Sequence, residues 1–255
     1  MDAFLRFYGA LNDFLPRARR FTTFTCTFRQ RASIKDLIES VGVPHPEIDR
    51  LVVNGELVDF RYLVGDGDRI AAYPTFHGLD LGDAGRLAPM TSQELRFVAD
   101  VHLGRLAAYL RLAGFDTVYR NDWSDADLAD ISAPETRVLL TRDVDLLKRA
   151  TVTHGCFIRN TQPGRQLVEV LRRFECVAAA RPFTRCPRCN APLQAVDKGT
   201  VIDVVPSRTR ECHDLFSQCT ACAAVYWPGS HYDRIRRFLA VAFSAASRWA
   251  EVSGP

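Results

Sequence analysis

The sequence predicts a mixed α/β protein made of three successive segments. Three observations carry that expectation. The first 78 residues read strand, strand, helix, strand, strand around an Asn-Gly turn. Residues 92–183 alternate short apolar runs with stretches of helical spacing. Five of the eight cysteines fall within residues 186–222. A length of 255 residues suits more than one domain. With 47% hydrophobic and 25% charged residues, the chain can build cores of ordinary size. No apolar run reaches the roughly 18 residues a membrane span needs. The opening MDAFLRFYGALNDFLPRARR carries charges inside every apolar stretch, so it reads as no secretory signal, and a cytoplasmic location with reduced cysteines is expected.

In the first segment, Phe4 to Gly9 and Phe21 to Phe28 alternate apolar and polar residues with the period of a strand. Ser33 is a plausible N-cap for Ile34 to Val41, and Gly42 a stop. Asn54-Gly55 between two β-rich runs signals a hairpin. Gly65-Asp66-Gly67-Asp68 then turns into Arg69 to Tyr73. This order over residues 1–78 suits a β-grasp domain. The phrases VNGELVD and GDGDRIAAYP resemble the ubiquitin-like sulfur carriers, which end in a free Gly-Gly. Here the chain continues through Pro74-Thr75-Phe76-His77-Gly78 instead, so the segment is expected to be a binding or scaffolding module that meets a protein partner. Cys26 within it reads as a small hydrophobe.

A linker is expected over His77 to Met90, rich in Gly and Asp and without periodicity. The second segment, residues 92–183, opens with the strand Glu94 to Asp100. Leu103, Leu106 and Leu110 follow at helical spacing with Arg105 and Arg111 off that stripe, and Gly114 stops the helix. A strand from FDTVYR, a helix from Asp125 to Ser132, a strand from Arg137 to Thr141 and a strand from Cys156 to Asn160 come next. Pro163 to Phe174 forms a final amphipathic helix with proline in its first turn. Repeated βα units argue for a parallel sheet flanked by helices.

Ligands of such sheets sit beyond the carboxyl ends of the strands. Asp100 ends the first strand and Asp143 follows the third. Asp145 lies two residues on, and Asp125 opens the intervening helix with Asp127 and Asp130 behind it. Clustered carboxylates repel unless protonated or bound to a cation, and hard divalent ions such as magnesium or manganese take oxygen ligands. Metal-assisted phosphodiester hydrolysis is the chemistry this suggests. Ordinary capping is the competing reading: Ser124 or Asp125 as one N-cap, and Asp143 as the cap of a helix from Val144 to Arg149. Asp116 and Asp122 read as loop or surface residues.

The phrases FVADVHLGRLAAYLRLAGFDT, SDADLADI and VLLTRDVDLL resemble the Mut-seven C-terminal RNase family, a branch of the PIN-like nucleases. Members join a PIN-like three-layer domain to a zinc ribbon, and some carry a ubiquitin-like extension. By that resemblance Asp100, Asp125, Asp143 and Asp145 would be the acidic residues of an RNA-cleaving site, with Asp127 a rival to Asp125. Asp100, Asp125 and Asp143 would hold magnesium or manganese. Arg142 could contact the scissile phosphate or point away.

Cys186-Pro-Arg-Cys189 and Cys219-Thr-Ala-Cys222 are two CxxC knuckles. Four thiolates so spaced can close a tetrahedral zinc site that leaves no place for substrate, so structural zinc is expected. The zinc ribbon should cover residues 184–232, with a helical tail over 233–250 in which Leu239, Val241, Ala242 and Phe243 could form an apolar face. Cys212 and His213 read as a loop pair, and Cys156 and Cys176 as core. No GxGxxG, P-loop, HExxH or GxSxG occurs, so dinucleotide, NTPase and related readings have no support.

Net charge is only +3, and basic and acidic residues balance through residue 183, so the excess lies in the last segment. An RNA partner is therefore expected to meet local cations: Arg185, Arg188, Arg208, Arg210, Arg234, Arg236 and Arg237. Tyr226 and Trp227 could offer a stacking surface, although a Trp after a zinc knuckle, as Trp227 is, more commonly packs against the ribbon. A non-catalytic RNA-binding or adaptor protein is the alternative to a ribonuclease.

Overall fold

The computed structural model describes residues 1–76, 84–90 and 95–252, with side chains through 248. The first half of the expected linker, residues 77–83, and the start of the strand at Glu94 lie outside the described residues. The chain divides into two compact units. One takes in the described residues up to 90 together with Trp123–Ile158. The other takes in 95–122 and 159–252. The units thus cut across the sequence order of the expected modules.

In the first unit, strands β1 (Asp2–Phe7), β2 (Phe24–Thr27), β3 (Arg50–Val53), β4 (Glu56–Val58) and β5 (Arg69–Tyr73) form one sheet in the order β2-β1-β5-β3-β4. β1 and β5 run parallel with Leu5 opposite Ile70, and the other pairs are antiparallel. This is the β-grasp arrangement. Alternation along β1 buries Ala3, Leu5 and Phe7, which meet Ile34, Leu37 and Ile38 of helix α1 (Ile34–Ser40) in one core. Ser33 caps α1 by accepting the Asp36 N–H at 3.1 Å. Asn54 and Gly55 both take positive φ, 52° and 94°, which the expected hairpin turn requires. Cys26 is half-buried against this core.

The same unit holds β8 (Val138–Thr141) paired in parallel with β9 (Gly155–Phe157), Leu139 opposite Gly155. Helices α3 (Asp125–Ser132) and α4 (Val144–Leu147) accompany them. A short 3-10 turn, His45–Glu47, seats the β-grasp sheet against β9. Buried Glu47 accepts the Phe157 N–H at 2.7 Å through Oε1. His45 Nε2 lies 2.8 Å from the Val152 carbonyl and Nδ1 2.6 Å from Glu39. The Phe14 ring meets Phe157 edge-on at 5.4 Å.

In the second unit, β6 (Arg96–Ala99) pairs in parallel with β7 (Asp116–Val118). Helix α2 (Gly104–Leu112) buries Leu106, Ala107 and Leu110 with Leu103 just ahead of it, as the spacing predicts. Helix α5 (Pro163–Arg173) starts on proline and buries Leu167, Val170 and Leu171. The cysteine-rich segment forms a three-stranded antiparallel sheet of β10 (Leu193–Val196), β11 (Phe216–Cys219) and β12 (Val225–Tyr226). Two short helices that the sequence pattern does not signal, α6 (Lys198–Val201) and α7 (Ser207–Cys212), lie between β10 and β11. The tail is a 23-residue helix, α8 (Ser230–Val252). It lies along α5: Arg172 donates to the Ala245 carbonyl at 2.7 Å, and Tyr109 and Phe238 meet at 4.6 Å. Leu239, Ala242 and Ala246 are buried, whereas Val241 is 67% exposed, so the apolar face is rotated from the expected one. No helix among the described residues is long and apolar enough to cross a membrane.

Candidate metal centre and acidic residues

The four knuckle cysteines converge. Their Sγ atoms lie within 4.8 Å of one another, with Cys186 to Cys222 at 3.7 Å and Cys189 to Cys219 at 3.3 Å. A tetrahedral site with zinc–sulfur bonds of about 2.3 Å needs sulfurs about 3.8 Å apart, so the donor set could hold zinc. Two turns make this possible. Cys219 Sγ accepts the N–H groups of Ala221 and Cys222 at 3.5 and 3.4 Å, the hydrogen bonds that fold a CxxC knuckle around its ligand. Burial pushes the Cys219 thiol up, but those N–H groups and the neighbouring thiols outweigh it and bring it down to about 6. The thiolate that a metal requires is therefore accessible near neutrality. Tyr226 Oη lies 3.1 Å from Cys186 Sγ. Burial and the Cys186 sulfur raise the phenol pKa, so it keeps its proton and can donate to that sulfur.

Helix α2 and β7 fix the first knuckle. Arg111, expected off the buried stripe, is instead only 5% exposed. Its guanidinium donates to the carbonyls of Thr117 (2.8 Å), Pro187 and Arg188 (both 3.1 Å). The preorganised fork of arginine suits three carbonyls that a neutral side chain could not serve. Burial lowers its pKa while the Cys189 and Cys186 sulfurs raise it. Asn190, at φ 73°, accepts the Thr117 N–H at 3.0 Å and donates to Asp116 at 2.8 Å. Asp116 also pairs with Arg185 at 3.5 Å. Asp116, read as a loop or surface residue from the sequence, is thus a half-buried anchor of the knuckle.

Asp143 sits between β8 and α4. Its backbone N–H donates to Thr141 Oγ1 at 2.9 Å, and its Oδ1 accepts the N–H groups of Asp145 (2.7 Å) and Leu146 (3.2 Å). The capping role the sequence allowed is therefore real, and Oδ2 has no hydrogen-bond partner among the described residues. Ser124, not Asp125, caps α3, in a capping box whose second member is Asp127: Asp127 Oδ2 accepts from the Ser124 N–H and Oγ–H at 2.8 and 2.7 Å. Asp125 is exposed at the first turn of α3. Asp145 is 91% exposed in its side chain and pairs with Lys148 at 3.3 Å. Within their unit, Asp125, Asp143 and Asp145 do not gather into a three-ligand group. Asp100, in the other unit, is buried at the end of β6, and its carbonyl accepts the Leu103 N–H at 2.8 Å.

The remaining candidates sort by contact. Cys212 is exposed at the end of α7 and His213 follows it outside the cysteine cluster, while Cys156 and Cys176 are buried. Burial pushes the Cys176 thiol up to about 12. Trp227 packs against the small core of Val201, Val205 and Phe216, the packing role the sequence left open. Arg210 bonds the Val205 carbonyl and Arg234 contacts His231, whereas Arg188 and Arg208 are exposed. Sequence reasoning missed Glu47, Arg111 and Asn190. Only Arg111, one step off an apolar helical stripe, left any trace.

Residues 95–239 match the family model described as Mut7-C RNAse domain, and residues 1–80 the one described as Mut7-C ubiquitin. No curated protein and no solved structure matches the chain.

Proposed function

The chain belongs to the Mut7-C RNAse domain family, and from that premise we propose that it hydrolyses RNA phosphodiester bonds with a divalent cation. Asp100, Asp125, Asp143 and Asp145 are the acids assigned to the reaction, the first three as ligands of magnesium or manganese. The observation that carries the reading is the state of Asp143. Two N–H groups lock Oδ1, and Oδ2 has no hydrogen-bond partner among the described residues, which makes an aimed hard-oxygen donor of the kind these ions take. Asp125 adds an exposed carboxylate at the start of α3. Asp145, turned to solvent and paired with Lys148, contributes charge more than a fixed ligand. A bound ion supplies Lewis acidity to the phosphodiester and to the attacking water. Asp143 meanwhile keeps its orientation without a change of rotamer, because its cap bonds hold it.

The four cysteines hold structural zinc in this reading, a closed site that shapes the ribbon and takes no substrate. The ubiquitin-like module serves as a protein-contact unit, and the location is cytoplasmic.

Cleavage of single-stranded RNA across a magnesium and manganese titration tests the proposal. Asp143→Asn is expected to abolish cleavage while the protein stays folded. Full activity in that variant, or an inactive parent with every divalent ion, overturns it. RNA binding that persists in EDTA without turnover favours the adaptor reading instead.

A further inference from the structure

We infer that Glu47 is a positioning residue for the Asp143 loop, so that the ubiquitin-like module braces the nuclease segment from within the same compact unit. The inference rests on the assignment of Asp143 to the acidic site. A run of short hydrogen bonds leads from one to the other. Glu47 Oε1 accepts the Phe157 N–H at 2.7 Å across 110 residues of sequence. Phe157 stands opposite Thr141 in the β8–β9 pair, where the Ile158 N–H donates to the Thr141 carbonyl at 2.7 Å. Thr141 Oγ1 accepts the Asp143 N–H at 2.9 Å. Asp143 Oδ1 then holds the N–H groups of Asp145 and Leu146.

Packing runs beside these bonds. A Cβ built on Gly155 would lie 3.3 Å from Pro46 and 2.5 Å from Leu147 of α4, so β9 is pressed between the His45–Glu47 turn and the helix that Asp143 caps. Glu47 is 2% exposed. A carboxylate that deep is costly unless hydrogen-bonded, and removing it leaves a strand N–H without its acceptor. The register of β9, and through it the Thr141 hydroxyl that holds Asp143, therefore depends on a side chain of the N-terminal module.

The test is amide hydrogen exchange on the full chain without metal or RNA. Glu47→Ala should speed exchange at Asp145 and Leu146 about tenfold, the loss of roughly one charged hydrogen bond. Exchange in β1 and β3 should stay as in the parent. Glu47→Gln, whose carbonyl oxygen still accepts, should keep parent rates throughout. Where the parent cleaves RNA, Glu47→Ala should raise the manganese concentration for half-maximal rate and leave the KM for RNA unchanged, with Glu47→Gln restoring the parent value. An inactive parent would sink the proposed function and still leave exchange to decide the brace. Unchanged exchange at Asp145 and Leu146 alongside a lower melting temperature in Glu47→Ala would show a purely structural carboxylate and overturn the inference. If Glu47→Ala does not fold, Glu47→Asp, one methylene short of the Phe157 N–H, takes its place with the same expected and opposing outcomes.

Discussion

The guanidinium of Arg111 donates to the carbonyl of Arg188 at 3.1 Å, so helix α2 holds the backbone of the first cysteine knuckle. The same nitrogen reaches the Pro187 carbonyl, and Nε reaches that of Thr117. Arg111→Met would keep the apolar stem and strand three carbonyls. The expected cost is about 3 kcal/mol, with Arg111→Lys recovering only part because an ammonium cannot reproduce the fork. Thermal unfolding measures the first effect. Zinc loss to a chromogenic chelator, faster in Arg111→Met than in the parent, measures the link to the knuckle.

Cys219→Ser removes the sulfur that accepts the Ala221 and Cys222 N–H groups. Zinc content by elemental analysis is expected to fall from about one ion per chain to none, because a closed site needs all four thiolates. Retention of a full equivalent would show that these cysteines are not the ligands.

At Asp143 the capping and chemical roles can be separated. Asn caps a helix about as well as Asp, whereas Ala does not. Asp143→Ala is thus expected to lose about 1 kcal/mol of stability and Asp143→Asn only a few tenths. Denaturant unfolding checks the pair, and both variants should be inactive on RNA.

Gly114 ends α2 at φ 97°, and a Cβ there would lie 2.0 Å from the Arg181 carbonyl oxygen. Backbone stands on both sides of the clash, so neither partner can swing away. Gly114→Ala should cost roughly 2–4 kcal/mol, read as a lower melting temperature.

His154 is half-buried, and that burial lowers its pKa below the ordinary 6.5. The unfolded chain then binds the proton more readily than the folded one. Its contribution is fully present above about pH 6.5 and is lost as pH falls through the folded-state value. Partial exposure keeps the size below about 1 kcal/mol. The melting temperature of the parent should drop between pH 7 and 5 more steeply than that of His154→Asn.

Much of this protein is determined by short-range sequence signals. Period-two alternation buries one face of β1, Ser33 meets the Asp36 N–H, and Asn54-Gly55 supplies the positive φ of a hairpin turn. The CxxC spacing folds each knuckle locally, which is why the cysteine cluster is legible in the sequence. Asp143 was legible as both cap and candidate acid, because the residues that bind its Oδ1 are two and three positions away.

Tertiary structure alone decided the rest. Val241 faces solvent because α8 presents Leu239, Ala242 and Ala246 to its neighbours, a choice of face that the unbroken apolar run Phe238 to Phe243 does not reveal. Nothing within ten residues of Glu47 announces Phe157, and nothing near Arg111 announces Arg188. Both side chains serve backbone groups brought to them by folding, and a backbone N–H or carbonyl carries no residue-specific signature in sequence. A buried charge among apolar neighbours looks like an interruption until its partner is in place, so the ties that hold each unit together became visible only in three dimensions.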